Sequence, residues 1–168
     1  SMITKYGAIA EGVDSGGAIT AQDLREEIDR QKIEVQEFDI MGNALEQTIV
    51  REYWARDRDS EGNEVGDEKF IFSEAQRVRN TSYDIYNRSG RSIILTYADE
   101  ACSETQFLEM QDIVSLGYDE YGNALEQTID TYVWDENKAF IDLDEIITDS
   151  GAEAAIAECE IVDRKRVT

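Results

Sequence analysis

The chain has 168 residues, enough for one domain or for one section of a longer array. Its 38 acidic and 16 basic residues give a formal net charge of −22. Such a surface repels phosphate backbones and anionic lipid, which argues against nucleic acid and membrane partners and leaves cations, basic proteins or plain solvation.

The absence of histidine and of long apolar runs excludes further classes of function. The sequence has no histidine, which excludes His-based triads, His metal sites and His general bases. It also has no run of ~18 apolar residues, so we expect no membrane insertion. Cys102 and Cys159 fit no spaced metal motif, and whether they pair is left open. We therefore expect a non-enzymatic protein without a cofactor, calcium excepted.

Residues 1–28 are predicted to form an irregular segment followed by a short helix. The first nineteen residues are rich in Gly and Ala, which favours irregular structure. A helix is predicted at about 21–29, because Thr20 suits its N-cap and Leu24 and Ile28 are spaced i,i+4.

Residues 29–150 contain a repeated phrase. The octapeptide GNALEQTI occurs at 42–49 and at 122–129, and a degenerate copy lies at 83–97. The copies start at Phe38, Tyr83 and Tyr118, so the spacings are 45 and 35 residues. Each copy is rich in β-branched and aromatic residues, which are typical of strands. The sequence thus predicts a mainly β fold, an antiparallel meander of three hairpin repeats with a unit of about 35 residues.

Gly-Asn pairs are the predicted turns of these hairpins. Glycine supplies the positive φ of a type II′ turn, which predicts pivots at Gly42-Asn43 and Gly122-Asn123. The degenerate copy offers Asn87-Arg88-Ser89-Gly90, which suits a four-residue loop with a left-handed glycine.

The last pivot also predicts which residues face each other. It places Leu116 opposite Ile129, with the flanking pairs Val114–Thr131 and Tyr118–Gln127 on the same face, which we expect to be buried. A meander has open edges, so neighbouring repeats of a parent chain or self-association through the edges are expected partners.

An acidic segment, DRDSEGNEVGDE at 57–68, lengthens the first unit by ten residues. Its spacing nearly matches an EF-hand calcium loop, with the candidate ligands Asp57, Asp59, Glu61, Asn63 and Glu68. Two positions depart from the EF-hand pattern, Glu61 at position 5 and Glu64 at position 8. These departures and the strand-like flanks favour the alternative, a solvated hairpin insertion.

The predicted pivots create a second acidic feature. They place Asp119 opposite Glu126 and Asp39 opposite Glu46, although like charges directly opposed in a sheet are unfavourable. Three explanations remain: a bridging cation, an aspartate that accepts hydrogen bonds from turn amides, or a register displaced by a bulge.

Aromatic side chains recur at hairpin positions. The candidates for stacking on sugar rings are Tyr121, Tyr132, Trp134 and Trp54, although such residues are more often part of a core or a ladder. Glycans or a basic protein are therefore the alternative partners of the chain.

Residues 151–168 have an ambiguous pattern. Ala and Glu in GAEAAIAECEIV favour a helix, whereas the alternation in AIAECEIV favours a strand.

The phrase itself resembles a known element. The string YDEYGN at 118–123 is similar to the YD-x-x-GN element of RHS/YD-repeat proteins, FDIMGN at 38–43 matches it with Phe in place of Tyr, and the degenerate copy keeps only Tyr83-Asp84. The resemblance implies hairpins strung into long sheets on very large secreted or cell-surface bacterial proteins, some of which enclose toxins while others serve adhesion. The unit is longer here, and the family's Gly-Arg-Leu continuation and autoproteolytic core are missing. We expect a structural or adhesive module, extracellular or on the bacterial cell surface.

Overall fold

The structure is a computed structural model that describes residues 1–6, 27–134 and 159–167. Eight strands form one sheet in the order of the chain, so each strand pairs with its neighbours in sequence. The strands are β1 (Met2–Tyr6), β2 (Glu27–Phe38), β3 (Ala44–Arg58), β4 (Glu64–Tyr83), β5 (Ser89–Tyr97), β6 (Phe107–Ser115), β7 (Gln127–Trp134) and β8 (Cys159–Val167). The predicted antiparallel meander of mainly β structure is confirmed.

The chain ends depart from the predictions. Met2–Tyr6 is a strand within the segment predicted to be irregular. Residues 21–26 of the predicted helix lie outside the described residues, whereas its last part belongs to β2, where Asp29 pairs with Lys5. In the described part, pairing with β1 satisfies the backbone groups that a helix would otherwise use. At the other end, Cys159–Val167 adopts the strand alternative as β8.

The chain divides into two compact units. Unit 1 comprises Ser1–Ile33 and Val50–Glu74, and unit 2 comprises Glu34–Ile49 and Ala75–Thr168.

Unit 2 contains a buried apolar cluster on one face of β5, β6 and β7. Leu95 lies opposite Met110 on β6, which in turn lies opposite Tyr132 on β7. Each fully buried aliphatic side chain contributes about 1.5–3 kcal/mol relative to exposure. The cluster consists of Ile93, Leu95, Tyr97, Met110 and Tyr132, and Cys102, Phe107 and Cys159 pack against it.

Unit 1 is organised by polar and aromatic contacts in its described part. The Arg30 guanidinium lies 4.0 Å from the centre of the Phe70 ring and pairs with Glu52. Trp54 packs edge-on against Phe70 with ring centres 5.0 Å apart. Such contacts are worth less than core burial because they remain partly in water.

The observed register of β6 and β7 differs from the predicted one. Ile129 lies opposite Ile113 instead of Leu116, and the other two predicted pairs are replaced in the same way. Val114 now faces Thr128, and Tyr118 bridges to Ala124. The shift is odd, so it exchanges the faces of β7 relative to β6: the predicted face of β6 is buried at Met110, but Tyr132 and not Ile129 is buried on β7.

Candidate interaction site: the aspartate turns

Aspartate side chains organise the connections between strands. In the turn at 119–123, the Asp119 Oδ1 atom accepts hydrogen bonds from the backbone N–H groups of Tyr121 (2.9 Å) and Asn123 (2.8 Å). Its Oδ2 atom accepts from the Asn123 side-chain amide at 2.9 Å. The backbone N–H of Gly122 donates to the Asp119 carbonyl, which closes a β-turn. One side chain thereby accepts two backbone N–H groups of the turn as well as the asparagine side chain.

The pivot is therefore not the predicted one. Asp119 and Asn123 pair across the loop, so the loop consists of residues 120–122 and Gly122 is its last residue, with a φ of +87°. This is the pattern of a three-residue hairpin loop that ends in a left-handed glycine, whereas a type II′ turn would centre on Gly122-Asn123. Gly42 and Asn43 occupy the equivalent positions after Asp39, and Gly42 has the same φ. The loop has three residues instead of two and begins two residues earlier than predicted, which together shift the register by three positions.

Four other turns start with an aspartate whose carboxylate accepts the backbone N–H four residues on, and in three of them, Asp39, Asp59 and Asp84, it also accepts the backbone N–H two residues on. We name each turn by that aspartate: Asp39 (39–43), Asp59 (59–63), Asp84 (84–88), Asp99 (99–103) and Asp119 (119–123). In the Asp84 turn, Asn87 takes the left-handed position with a φ of +62°, and Arg88 replaces the asparagine as side-chain donor. Gly90, predicted to lie in this loop, belongs to β5 instead.

The Asp59 and Asp84 turns lie where the sequence predicted other structures, a calcium loop and a four-residue loop. Asp59-Ser-Glu-Gly-Asn63 is a further copy of Asp-x-x-Gly-Asn inside the predicted calcium loop. A search for Asp followed three residues later by Gly or Asn would have found both this turn and the Asp84 turn, because those residues tolerate positive φ.

These hydrogen bonds lower the pKa of the turn aspartates. For Asp39 and Asp119 the main cause is the side-chain amide of Asn43 or Asn123, which stabilises the carboxylate. The pKa of Asp84 is lowered mainly by its hydrogen bond with Arg88, and that of Asp59 mainly by the backbone of Asn63. Each of these turns thus holds an ionised carboxylate near neutral pH.

Tyrosines connect neighbouring turns of unit 2. The Tyr118 hydroxyl, just before the Asp119 turn, donates to the Ser89 carbonyl at 2.5 Å, just after the Asp84 turn. The Tyr83 hydroxyl likewise donates to the Ala44 carbonyl at 2.7 Å, just after the Asp39 turn. In each Tyr-Asp pair, the aspartate therefore closes its own turn, while the tyrosine binds beside the preceding turn at the same end of the strands. Phe38 has no hydroxyl and cannot make such a bond.

The same three turns are joined by polar contacts. The Asn43 side-chain amide donates to the Asn87 side-chain oxygen at 3.2 Å, and an Arg88 N–H donates to the Asp119 carbonyl at 3.4 Å. The Arg88 guanidinium also lies over the Tyr118 ring at 4.4 Å and over the Tyr86 ring at 4.9 Å. The Asp39, Asp84 and Asp119 turns thus form a continuous series at one end of the strands.

The predicted calcium ligands are not brought together as a cation site. Asp59 holds its own turn, the Asp57 carboxylate pairs with Lys69 at 2.6 Å, and Glu68 lies 3.5 Å from Arg56. Within the described residues, no three acidic, Cys or His side chains are arranged to hold a metal ion. Glu61 and Asn63 donate backbone N–H groups to the Asp59 carboxylate, so the segment forms a hairpin loop and not an EF-hand loop.

The predicted stacking aromatics lie in different surroundings. Tyr121 is 81% exposed at the tip of its turn, whereas Tyr132 is only 7% exposed and belongs to the core cluster, which excludes it as a sugar platform. Trp134 is half-buried at the end of β7. Trp54 belongs to unit 1, where its indole N–H donates to Glu68 at 3.3 Å.

The predicted acidic pair does not form, because Asp119 lies opposite Asn123 and its carboxylate accepts turn amides. For Asp39 the partner is Asn43, not Glu46. The explanation by amide hydrogen bonds is the correct one, together with the shifted register.

The directly opposed carboxylates are instead Asp112 and Asp130, which pattern analysis did not single out. Arg91 pairs with Asp112 at 2.8 Å, and Arg164 pairs with Asp130 at 2.6 Å. Arg164 also lowers the pKa of Asp130, chiefly through its hydrogen bond. An arginine on each outer side thus compensates the repulsion between the two acids.

Comparisons with known proteins returned no match among family models, curated proteins or solved structures. Within residues 1–6, 27–134 and 159–167, no helix is long and apolar enough to cross a membrane.

Proposed function

We propose that this chain is a non-catalytic structural module, a stiff scaffold of repeated hairpins with a unit of about 35 residues, from a large secreted or cell-surface bacterial protein. The observation that supports it best is the Tyr-Asp arrangement: Tyr83 and Tyr118 each bind beside the preceding turn at the same end of the strands. A hairpin that carries its own attachment to the preceding hairpin can be added repeatedly without new contacts, as in repeat proteins.

The proposed relationship to RHS/YD-repeat proteins gains a physical basis from the same contacts. Within the YD-x-x-GN phrase, Tyr118 reaches the neighbouring turn, Asp119 accepts the loop amides, Gly122 supplies positive φ, and Asn123 donates to the aspartate. The residues that close the loop lie within five positions of one another, so the phrase can be copied as a unit. In such an array, neighbouring repeats of the parent chain would add to the outermost strands, β1 and β8.

The residues that flank this chain in its parent protein test the proposed array directly. The flanking gene segments should encode further Tyr-Asp-x-x-Gly-Asn phrases at spacings of about 35 residues. Flanks that encode unrelated domains and no further phrase would contradict the array.

The proposed location has its own test. Antibodies raised against the chain should label intact cells of the bacterium that encodes it, and external protease should remove the signal. A cytosolic protein of known location serves as the control for cell integrity. Antigen found only in the cytosol would refute the surface location and leave the array itself untouched.

A further inference from the structure

The tips of three turns carry exposed apolar side chains. The tip is the pair of residues that follows the aspartate, and its side chains make no hydrogen bond that closes the loop; only the second residue's backbone N–H does. The Asp59 turn closes with Ser60 and Glu61 at its tip, so the loop chemistry does not require apolar residues there. The residues of this tip row are Ile40, Met41, Ile85, Tyr86 and Tyr121, all strongly exposed.

The tip row has a defined spacing. The contacts Asn43–Asn87 and Arg88–Asp119 hold the three turns side by side. Successive turns are two strands apart, which corresponds to about 9.6 Å along the row. Rows of exposed apolar side chains on a soluble protein typically mark interaction sites.

The charge around the row is negative. The aspartates Asp39, Asp84 and Asp119 lie at the base of the tips, and their lowered pKa keeps them ionised. Glu120 adds a carboxylate beside Tyr121. Arg88 pairs with Asp84 at 2.6 Å, so these two charges cancel, and Asp39, Asp119 and Glu120 leave the row with a negative charge.

We propose that the tip row binds a basic amphipathic helix of a partner protein, whose apolar residues recur every seven positions. Seven residues of an α-helix rise about 10.5 Å, close to the spacing of the turns. Lysines and arginines beside the apolar stripe meet the turn carboxylates. Sugar stacking fits less well, because three of the five tip residues are aliphatic and offer no ring face.

This inference rests on the proposed scaffold role, because the linked turns hold the tips in register. The two can fail separately: the scaffold proposal is tested by flanking sequence and cell labelling, and the tip row by binding of a defined peptide to the isolated chain.

The probe is a fluorescein-labelled synthetic helix of about 18 residues, with leucine at every seventh position and lysines on both sides of that stripe. Fluorescence anisotropy should show saturable binding to the unmodified chain. The double variant Ile85→Ser/Tyr86→Ser should weaken it by roughly tenfold, as expected for loss of a central anchor. The variant Ile40→Ser/Met41→Ser tests the row independently, and Leu108→Ser, which removes an exposed leucine from β6, is the matched control that should bind normally.

A scrambled peptide of the same composition separates recognition from charge attraction. It should bind far more weakly; equal binding would mean that only the net charge attracts the peptide, and would overturn the proposal. Unchanged binding by both tip variants, or an equal loss in Leu108→Ser, would overturn it too. Thermal melts of each variant verify the fold, since Tyr86→Ser also removes the contact between the Tyr86 ring and Arg88.

Discussion

The Asp59 turn of unit 1 and the Asp119 turn of unit 2 have the same loop but different surroundings. Both use an aspartate, a glycine with a φ of +87° and an asparagine that donates to the aspartate. Arg58 precedes one turn, whereas Tyr118 precedes the other and reaches a neighbouring turn. The five-residue phrase thus forms the hairpin loop in both units, and in unit 2 the preceding tyrosine adds a hydrogen bond to a neighbouring turn.

The two units also differ in burial. Unit 2 buries Leu95 and Tyr97 completely, while the described part of unit 1 relies on half-exposed contacts such as Arg30 with Glu52 and Phe70. The turns close the hairpins in both, but in unit 2 the burial of the apolar cluster adds to them.

The substitution Leu95→Ala is the strongest test of the contribution that burial makes to unit 2. We expect it to lower the free energy of unfolding by about 2–5 kcal/mol, because it leaves a cavity in the unit 2 cluster. Urea denaturation followed by circular dichroism measures the loss. Leu108→Ala on the neighbouring strand is the control and should change stability by no more than about 0.5 kcal/mol, since Leu108 is exposed. Equal effects of the two changes would show that the cluster is not a core.

The next largest effect is a difference in melting temperature between variants of Asp119 and Asp59. Asp119→Ala removes the acceptor for the loop and disturbs the contacts with Arg88 and Tyr118, so we expect the melting temperature to fall by on the order of 5 °C. Asp59→Ala should lower it less, because no tyrosine precedes that turn. Differential scanning calorimetry measures both. A larger fall for Asp59→Ala would contradict the idea that attachment adds to turn closure.

Tyr118→Phe isolates the attachment itself. It removes only the hydroxyl that donates to the Ser89 carbonyl, and we expect a loss of about 0.5–1.5 kcal/mol in urea denaturation. Tyr83→Phe should cause a similar loss, since the Tyr83 hydroxyl donates a hydrogen bond to the Ala44 carbonyl. Tyr121→Phe, at an exposed tip, is the matched control. If all three changes were equivalent, the hydroxyl contacts would not be what links the turns.

The smallest expected effect is a dependence on pH. The pKa of Asp119 is lowered in the folded chain, so its stabilisation is complete above the ordinary value of 3.8 and is lost as the pH falls through the lowered value. The variant Asp119→Asn should therefore be less stable than the unmodified chain at pH 7, and the two stabilities should converge in strong acid. Thermal melts at a series of pH values measure the difference. The effect is small because the side chain is exposed and screened by solvent. A difference that grew on acidification would have the wrong sign.

The sequence predicted strands and reversals well but not their details. GNALEQTI correctly located chain reversals near Gly42 and Gly122, because glycine and asparagine are needed where φ is positive. The type II′ assignment was wrong, since the aspartate three residues before the glycine holds a longer loop. That longer loop, which also begins two residues earlier than predicted, moved the register and turned Ile129 away from the buried face. Residues 59–63 of the candidate calcium loop follow the same Asp-x-x-Gly-Asn pattern and form a hairpin loop, as the alternative interpretation of 57–68 expected.

What the sequence determined by itself is the set of local reversals, because an aspartate, a positive-φ residue and a donor within five positions satisfy one another without the rest of the chain. Only the tertiary structure decided which face of β5, β6 and β7 is buried, which turns lie side by side, and which carbonyl each tyrosine reaches. Those outcomes depend on contacts such as Tyr118 with Ser89, 29 positions apart, and on a register that one additional loop residue can reverse.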